Sequence, residues 1–515
     1  MKRNHIDCSQ LTNNRIVEGD VAIIGTGAGG GIAAQTLAEA GLKVIMIEEG
    51  PYQTAKDFHM QESEAYPQLY QEVANRKTRD KAINILQGRA VGGGTTVNWT
   101  SCFHIPSQSL GHWRDQYGWD LTEQALQPWY WKVEKQLHIT PWRGRNQNNA
   151  VLARGLERLN WHQDTIHRNV KKCLNLGYCG TECPVDAKQS ALVTSIPAAL
   201  RRGAVLLSHA RAQRLWLRGD KIEEIECLAL NSRSSDATGV RITVRTKYVV
   251  LAGGGIGSPA VLLRSKLPDP DNLVGKRTFL HVTVGSIAIM PQRIDPYYGA
   301  PQSVHSNEFL WRDGVTGEMG YKIETAPLQP VLAATVFSPF GIEHAQAMKQ
   351  LPFAQPLIAL LRDGFHHASP GGTVTLNGDG SPVLDYPLND YIWRAVRHAY
   401  GSLLQIQFAA GARRVLPAHS EAKWFRSWNE AQRAIDDLSM VPHHPKLFSA
   451  HVMGGCAMGS DSRSSIVDLD GNHRFLQNLT IIDGSVFPTS IGANPSLPIY
   501  AIAAKLSSQL ARKLQ

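Results

Sequence analysis

The 515-residue sequence lacks any run of 18 or more apolar residues, so no transmembrane helix is expected. It also lacks a long block of one charge. Its 53 basic and 44 acidic residues give a formal charge of +9, but they are spread along the chain rather than gathered into a nucleic-acid-binding arm. Met1-Lys2-Arg3-Asn4-His5 begins basic yet is not followed by the apolar core of a secretory signal. Cysteine is scarce at seven residues, and Cys8, Cys102, Cys227 and Cys456 are scattered without the spacing of a disulfide framework. These absences argue against a membrane-spanning, nucleic-acid-binding or disulfide-stapled protein. They suggest a cytoplasmic chain, or a periplasmic one if it is exported folded with a signal-bearing partner subunit.

What is present is an ordinary globular composition, 43% hydrophobic and 19% charged, in a chain long enough for two or more lobes. With 45 glycines, a single G-x-G-x-x-G match carries little weight. Its context gives it weight. Gly25-Thr26-Gly27-Ala28-Gly29-Gly30 follows a β-type run, Ile16 to Ile24, and opens an apolar-periodic helix from Gly31 to Ala38. A turn at Gly41 leads to a second strand, Lys43 to Ile47, ending in Glu48-Glu49-Gly50. This is the order of a dinucleotide-binding βαβ unit. Gly25 permits the tight turn, Gly27 lets a pyrophosphate approach the backbone, and Gly30 lets helix and strand pack closely. Glu48 stands where an acidic side chain holds ribose hydroxyls, and the helix N-terminus favours the anion. This unit alone does not separate FAD from NAD.

Three further segments bear on that choice. Gly88-Arg89-Ala90-Val91-Gly92-Gly93-Gly94-Thr95-Thr96-Val97-Asn98-Trp99 is a second glycine loop, expected to lie too far from the first to touch the same phosphates. Val249 to Pro259 reads as a buried strand, a glycine turn and a helix start, and Thr480 to Pro488 as a strand ending in Asp483-Gly484. Together with Gly492-Ala493-Asn494-Pro495, these segments resemble the glucose–methanol–choline (GMC) oxidoreductases. The likeness runs from about residue 16 to the C-terminus and is weakest between 295 and 440.

The resemblance implies an α/β fold. A Rossmann-like FAD-binding domain, similar to that of p-hydroxybenzoate hydroxylase, would span 16–290 and 441–515. An α+β substrate domain built on an antiparallel sheet would occupy 291–440. It further implies that Gly92, Gly93, Thr95 and Asn98 run along the isoalloxazine ring, and that Asp483, Gly484 and Pro495 lie beside the cofactor. Some members of the family tether FAD through a histidine in this loop. Val97 stands there in this chain, so non-covalent FAD is expected.

Oxidising an alcohol by hydride transfer requires a base for the hydroxyl proton, and histidine suits that role near neutral pH. Nineteen histidines make residue type alone uninformative. His451, in Phe448-Ser449-Ala450-His451-Val452-Met453-Gly454-Gly455, resembles the catalytic segment of the family. Asn494, near the start of the last helix, stands where members carry a second histidine or an asparagine. The resemblance implies His451 as base and Asn494 as hydrogen-bond partner to the same substrate oxygen. A structural histidine and a plain helix N-cap are the alternative readings, and His443 and His444 are nearby competitors.

Cys173, Cys179 and Cys183 form a C-x5-C-x3-C run ending in Pro184. Thiolates are the usual iron–sulfur ligands, and three of them suit a three-iron cluster better than a four-ligand structural zinc. The run resembles that of bacterial FAD-dependent dehydrogenase catalytic subunits, which implies a [3Fe-4S] cluster passing electrons to a small subunit, a cytochrome or a quinone. Ala187 to Thr194 and Gly299-Ala300-Pro301-Gln302 resemble long-chain alcohol oxidases instead, whose similar stretch has a further cysteine where Leu176 stands. A cluster-free loop in a dioxygen-using oxidase is therefore a second expectation, and a non-redox FAD-containing lyase a third.

In the variable middle, Asn377-Gly378-Asp379-Gly380 between two β-type runs predicts a hairpin. Leu351 to Leu361, interrupted by Pro352 and Pro356, reads as an apolar helix that is buried in the core, lines the pocket or faces a membrane. If it opens on the pocket, the substrate is a greasy alcohol rather than a sugar.

Overall fold

The computed structural model describes residues 4–181, 183–337 and 340–515. Two eight-stranded sheets organise them. In the first, the strand Arg15–Ile24 lies between Val44–Ile47 and Ala237–Leu251, parallel to both. Beyond Val44–Ile47 the sheet continues in parallel through Val205–Ser208 to His5–Asp7. The strand Leu479–Ile481 joins in parallel against Val249–Leu251. Only the outer meander, Ala210–Arg218 and Lys221–Leu230, runs antiparallel. The all-apolar ends Val21–Ile24 and Val44–Ile47 are buried on both faces, as parallel strands covered by helices require. The helices Ala28–Glu39, Gly254–Ser265 and Ser496–Leu514 pack over this sheet and supply its core with Ile32, Leu37, Val261, Leu262, Ile502 and Leu506.

The second sheet runs in the order Ile83–Ile85, Leu447–Ser449, Thr283–Ile289, Ala354–Leu361, Tyr321–Thr325, Val304–Ser306 and Asp164–Thr165, with Arg414–Pro417 also on Thr283–Ile289. It is antiparallel except between its first two strands. The helices Gln147–Leu159 and Asp390–Ala409 cover one face through Leu152, Leu156, Val396, Leu403 and Leu404. The mixed α/β architecture with an antiparallel second sheet matches the expected fold class. The sheet draws strands from both sides of the 291–440 segment, because Ile83–Ile85, Asp164–Thr165, Thr283–Ile289 and Leu447–Ser449 all belong to it.

Residues 351–361 depart from the expected helix. After a 3-10 turn at Leu351–Phe353, Ala354–Leu361 is a strand inside the second sheet. Pro356 is accommodated because residues 354–356 pair only with Thr283–Ile289, whereas Tyr321–Thr325 begins pairing at Leu357. No neighbour on that side requires the missing N–H. Leu357, Ala359 and Leu361 enter the helix-covered core, while Ile358 and Leu360 face the other way. Burial on both sides erases the alternation by which a strand is recognised. The predicted hairpin does form, as Thr373–Leu376 paired with Pro382–Asp385.

Candidate active site

A cavity of about 800 Å³ lies between the two sheets. One end is walled by residues 24–29, Glu48 and Glu49, and the other by Trp99, Ser101, Thr283, Ile358, Leu360, Phe448, His451 and Asn494. At the first end, Gly25 has φ +96°, and a Cβ there would stand 2.3 Å from Ala252 O. A Cβ on Gly30 would meet Gly25 O at 2.0 Å, whereas one on Gly27 would meet nothing within 4 Å. Turn, close packing and open approach are thus divided among the three glycines. Gly29 is equally constrained, since its Cβ would strike Ile482 O at 1.8 Å. The helix Ala28–Glu39 starts here with no side-chain cap, which leaves its first N–H groups free for an anion.

Glu48 is buried with its carboxylate turned into the loop. Oε2 accepts from Thr26 N (3.2 Å) and Thr26 Oγ1 (2.5 Å), and Oε1 accepts from Gly50 N (3.0 Å). Burial pushes its pKa up to about 7 against the pull of these donors. The second glycine loop does not lie apart from the first, as had been expected. Gly92 N donates to Thr26 Oγ1 (3.0 Å), and a Cβ on Gly93 would stand 2.9 Å from Gly27 Cα. Sequence distance misled here, because the two loops meet across the top of the sheet.

Thr95 Oγ1 donates to Gly92 O (2.6 Å) and accepts from Ala191 N (3.1 Å), which closes the second loop on itself and on its neighbour. Asn98 faces the cavity and reaches Ser496 Oγ at 3.4 Å. Asp483 is also buried. Its carboxylate accepts from Gly254 N (2.7 Å), Ser258 Oγ (2.6 Å) and Ser485 N (2.7 Å), so it clamps the start of the helix Gly254–Ser265 to the end of the strand Leu479–Ile481. Gly484 and Pro495 line the same wall, and Val97 is buried in it.

His451 sits between the strands Leu447–Ser449 and Val452–Gly454. Its Nδ1 lies 3.0 Å from Nδ1 of His281, which leaves Nε2 toward the cavity. Burial lowers its pKa to about 4, so the ring is neutral at physiological pH. Asn494 does not cap the last helix, where Pro495 is the N-cap and no side-chain cap bond forms. Its Nδ2 donates instead to Glu324 Oε2 (3.3 Å), and its Oδ1 is buried without a partner. His443 and His444 do not line the cavity; His444 pairs with Glu421 at 3.0 Å.

Sequence reasoning missed His281, Glu324 and the residues that hold them. Gln302 Nε2 donates to Glu324 Oε2 (2.6 Å), and Ser101 Oγ donates to Gln302 Oε1 (2.6 Å). Burial raises the Glu324 pKa to about 6, opposed first by Lys322. A histidine or glutamate inside an all-apolar stretch, as in Phe279-Leu280-His281-Val282, was the available signal.

The cysteine loop adjoins the second glycine loop. Lys188 Nζ donates to Thr96 O, Asn98 O and Cys179 O, each at 2.7 Å, and Tyr70 Oη donates to Gly180 O. Cys179 is buried and Cys173 and Cys183 are half-buried, all as free thiols. Arg168 Nη2 reaches Cys179 Sγ at 3.5 Å. Burial raises the Cys179 pKa, while Arg168 and Lys188 oppose that rise. Among the described residues, the three sulfurs do not converge on a point where one ion would sit; only His419, Glu421 and His444 do. A three-iron cluster holds its thiolates further apart than a single ion does, so this spacing bears on zinc and not on the cluster.

Fold and cavity together present a dinucleotide-type glycine loop at one end and a buried histidine, His451, at the other. The sequence model of the GMC oxidoreductases matches residues 28–283 and 368–503, and the chain belongs to that family. It is 28% identical over 504 residues to a GMC-type oxidoreductase of Mycobacterium tuberculosis, an alignment covering 97% of this chain and 77% of the other. It is 26% identical over 522 residues to the long-chain-alcohol oxidase FAO3 of Arabidopsis thaliana, covering 96% and 68%. Among solved structures, pyridoxine 4-oxidase from Mesorbium loti superposes with a TM-score of 0.70 at 17% identity, covering 95% of this chain and 98% of that one. A formate oxidase variant of Aspergillus oryzae superposes with a TM-score of 0.71 at 13% identity, covering 98% and 100%. No helix among the described residues is long and apolar enough to cross a membrane.

Proposed function

We propose that this protein oxidises an apolar alcohol to a carbonyl compound on non-covalently bound FAD. The observation that carries the reading is the juxtaposition inside one cavity. A phosphate-binding loop stands at one end, and His451 and Asn494 at the other lie beneath an apolar wall of Trp99, Ile358, Leu360 and Phe448. The cavity fits FAD on its own features. A glycine cradle and free helix N–H groups suit the pyrophosphate, and Asn494, whose Oδ1 is buried without a partner, lines the other end of the site. Gly25, Gly27, Gly30, Glu48, Gly92, Gly93, Thr95, Asn98, Asp483, Gly484 and Pro495 would hold it. Val97 has no atom able to form a covalent link to flavin. Bound there, FAD supplies the hydride acceptor.

The chain's own residues handle the proton and the pose. His451, neutral and with Nε2 open to the cavity, takes the hydroxyl proton as the C–H bond breaks. Glu324 turns the Asn494 amide so that Nδ2 faces it, and the second Nδ2 hydrogen remains to donate to the substrate oxygen. The wall offers the rest of the substrate apolar contact and few polar grips, which favours an alkyl chain over a polyol. His451→Ala retaining bound flavin but losing anaerobic flavin reduction by an alcohol is the expected result. Near-normal reduction in that variant would overturn the assignment.

For the electron acceptor we favour a non-oxygen species reached through the cysteine loop. Cys173, Cys179 and Cys183 would hold a three-iron cluster that carries electrons outward to a small subunit, cytochrome or quinone. Support comes from Lys188, which ties that loop to the loop along the flavin side of the cavity. The second reading is an oxidase that uses dioxygen and leaves the cysteines silent, as the alcohol-oxidase relatives suggest. Iron and acid-labile sulfide at about three and four per flavin in anaerobically purified protein support the relay. Their absence, with fast reoxidation by dioxygen, supports the oxidase.

A further inference from the structure

His281 has no part in the proton transfer proposed above, yet among the described residues it makes the one hydrogen bond to the ring of His451. His281 is 1% exposed and joins two strands, Thr278–Leu280 and Thr283–Ile289. The first pairs with Val452–Gly454 through Leu280↔Val452, and the second with Leu447–Ser449 through Thr283↔Phe448. His281 and His451 thus lie in the two short links, residues 281–282 and 449–451, between matched registers of the same strand pairs. Backbone pairing on both sides brings their rings edge to face, with centroids 5.1 Å apart and planes at 86°.

Two neutral imidazoles that share an Nδ1···Nδ1 contact must divide the roles of donor and acceptor. If His281 donated, the His451 proton would sit on Nε2, pointing at the substrate, and the ring would have no lone pair with which to take a proton. If His281 accepts, His451 carries its proton on Nδ1 and presents a bare Nε2. Once Nε2 has taken the substrate proton, both nitrogens of His451 are donors, and His281 Nδ1 is the group that faces its Nδ1–H among the described residues. The arrangement required after proton transfer is therefore the one that makes the base competent before it, with no reorganisation in between. His281 Nε2 is buried and unpartnered in either arrangement, so it does not discriminate between them.

We propose that His281 is a positioning residue that accepts from His451 Nδ1–H and holds the base in its active tautomer. The inference rests on the reading of His451 as base. The charges that bear on His281 keep it a neutral acceptor. After burial, His451, Lys322 and Arg362 all disfavour its protonated form. Nearby, Tyr386 accepts from Leu280 N and gives its own hydroxyl to Asp363, so that carboxylate is engaged away from the imidazole pair. A neutral acceptor also stabilises the imidazolium of His451 less than a carboxylate would, in keeping with the low pKa of the base.

The test is anaerobic flavin reduction by an aliphatic alcohol, followed across pH in holoenzyme variants checked for flavin content. His281→Leu, which removes the acceptor, should reduce flavin about 100-fold more slowly, within the range general-base catalysis supplies. His281→Asn, whose Oδ1 accepts, should recover most of that loss with the pH profile unmoved. His281→Asp, which adds charge, should move the acid limb upward by about one pH unit or more. Equal rates for the wild type and His281→Leu, or equal slowness in His281→Leu and His281→Asn with flavin bound, would overturn the inference. Should the leucine variant not fold, His281→Asp decides alone, because an unmoved acid limb contradicts contact with the imidazolium. A flavin-loaded His451→Ala that still turns over would remove the base reading itself, whereas a failure confined to the position 281 variants removes only this inference.

Discussion

As the proposed base, His451 is governed by two influences that differ in kind. Its pKa is set by burial beneath the second sheet, and its orientation by the ring of His281. The pH sign follows from the direction of the shift. A base works only when deprotonated, and lowering its pKa from 6.5 to about 4 extends the active range to acid. The acid limb of kcat/KM for alcohol oxidation should therefore fall near pH 4, and an acid limb near 6.5 would show that the ring is solvated during turnover. Lys188 gives a second residue-scale prediction. It donates to three carbonyls from two loops, and its pKa is lowered by burial only to about 8, which leaves it charged at neutral pH. Lys188→Met strands those acceptors and should cost about 3 kcal/mol or more. Lower thermal stability and weaker flavin retention on gel filtration should report it.

At the scale of elements, the proposed preference for an apolar alcohol rests on the strand Ala354–Leu361. Ile358 and Leu360 project to the cavity while their alternates fill the core. Burying one methylene contributes about 0.8 kcal/mol, so kcat/KM should climb up to about fourfold per added carbon until the apolar wall is covered. Leu360→Asn should flatten that series while leaving the shortest alcohols least affected, as a homologous series of primary alcohols will show. This strand was also the least legible element of the sequence. Residues 351–361, a largely apolar run interrupted by Pro352 and Pro356, fit a buried helix as readily as a strand, and only the pairing partners resolve the choice. The hairpin beside it was legible because Asn377-Gly378-Asp379-Gly380 carries turn geometry in its own residues. The βαβ unit from Arg15 to Ile47 was legible for the same reason, since its glycines, helix period and acidic strand end are all local.

At the scale of the molecule, the site is made by bringing together segments hundreds of residues apart. Asp483 binds the start of one helix to the end of a distant strand, and Thr26 joins the first glycine loop to the second. Asp483→Ala should leave three donors unsatisfied and release FAD more readily, by about tenfold or more in the dissociation constant. Flavin fluorescence on dilution of the holoenzyme measures it. Such contacts explain why His281 and Glu324 escaped a reading by motif, and why the motif Gly299–Gln302 did not place Gln302 at the site. Each is placed by strand register rather than by local spacing, and register is not written in any one segment. His451 and Asn494 stand out in the sequence because their flanking turns resemble those of the family, and both line the cavity.

The central claim is that this cavity oxidises an apolar alcohol. Anaerobic mixing of the flavin-loaded protein with a panel from glucose to decanol, while the flavin's visible absorption is followed, tests it most directly. Bleaching by decanol, fast in the native protein, lost in His451→Ala and absent with glucose, is the predicted result. Flavin that stays oxidised with every alcohol, or that bleaches with glucose and not with decanol, would contradict the account.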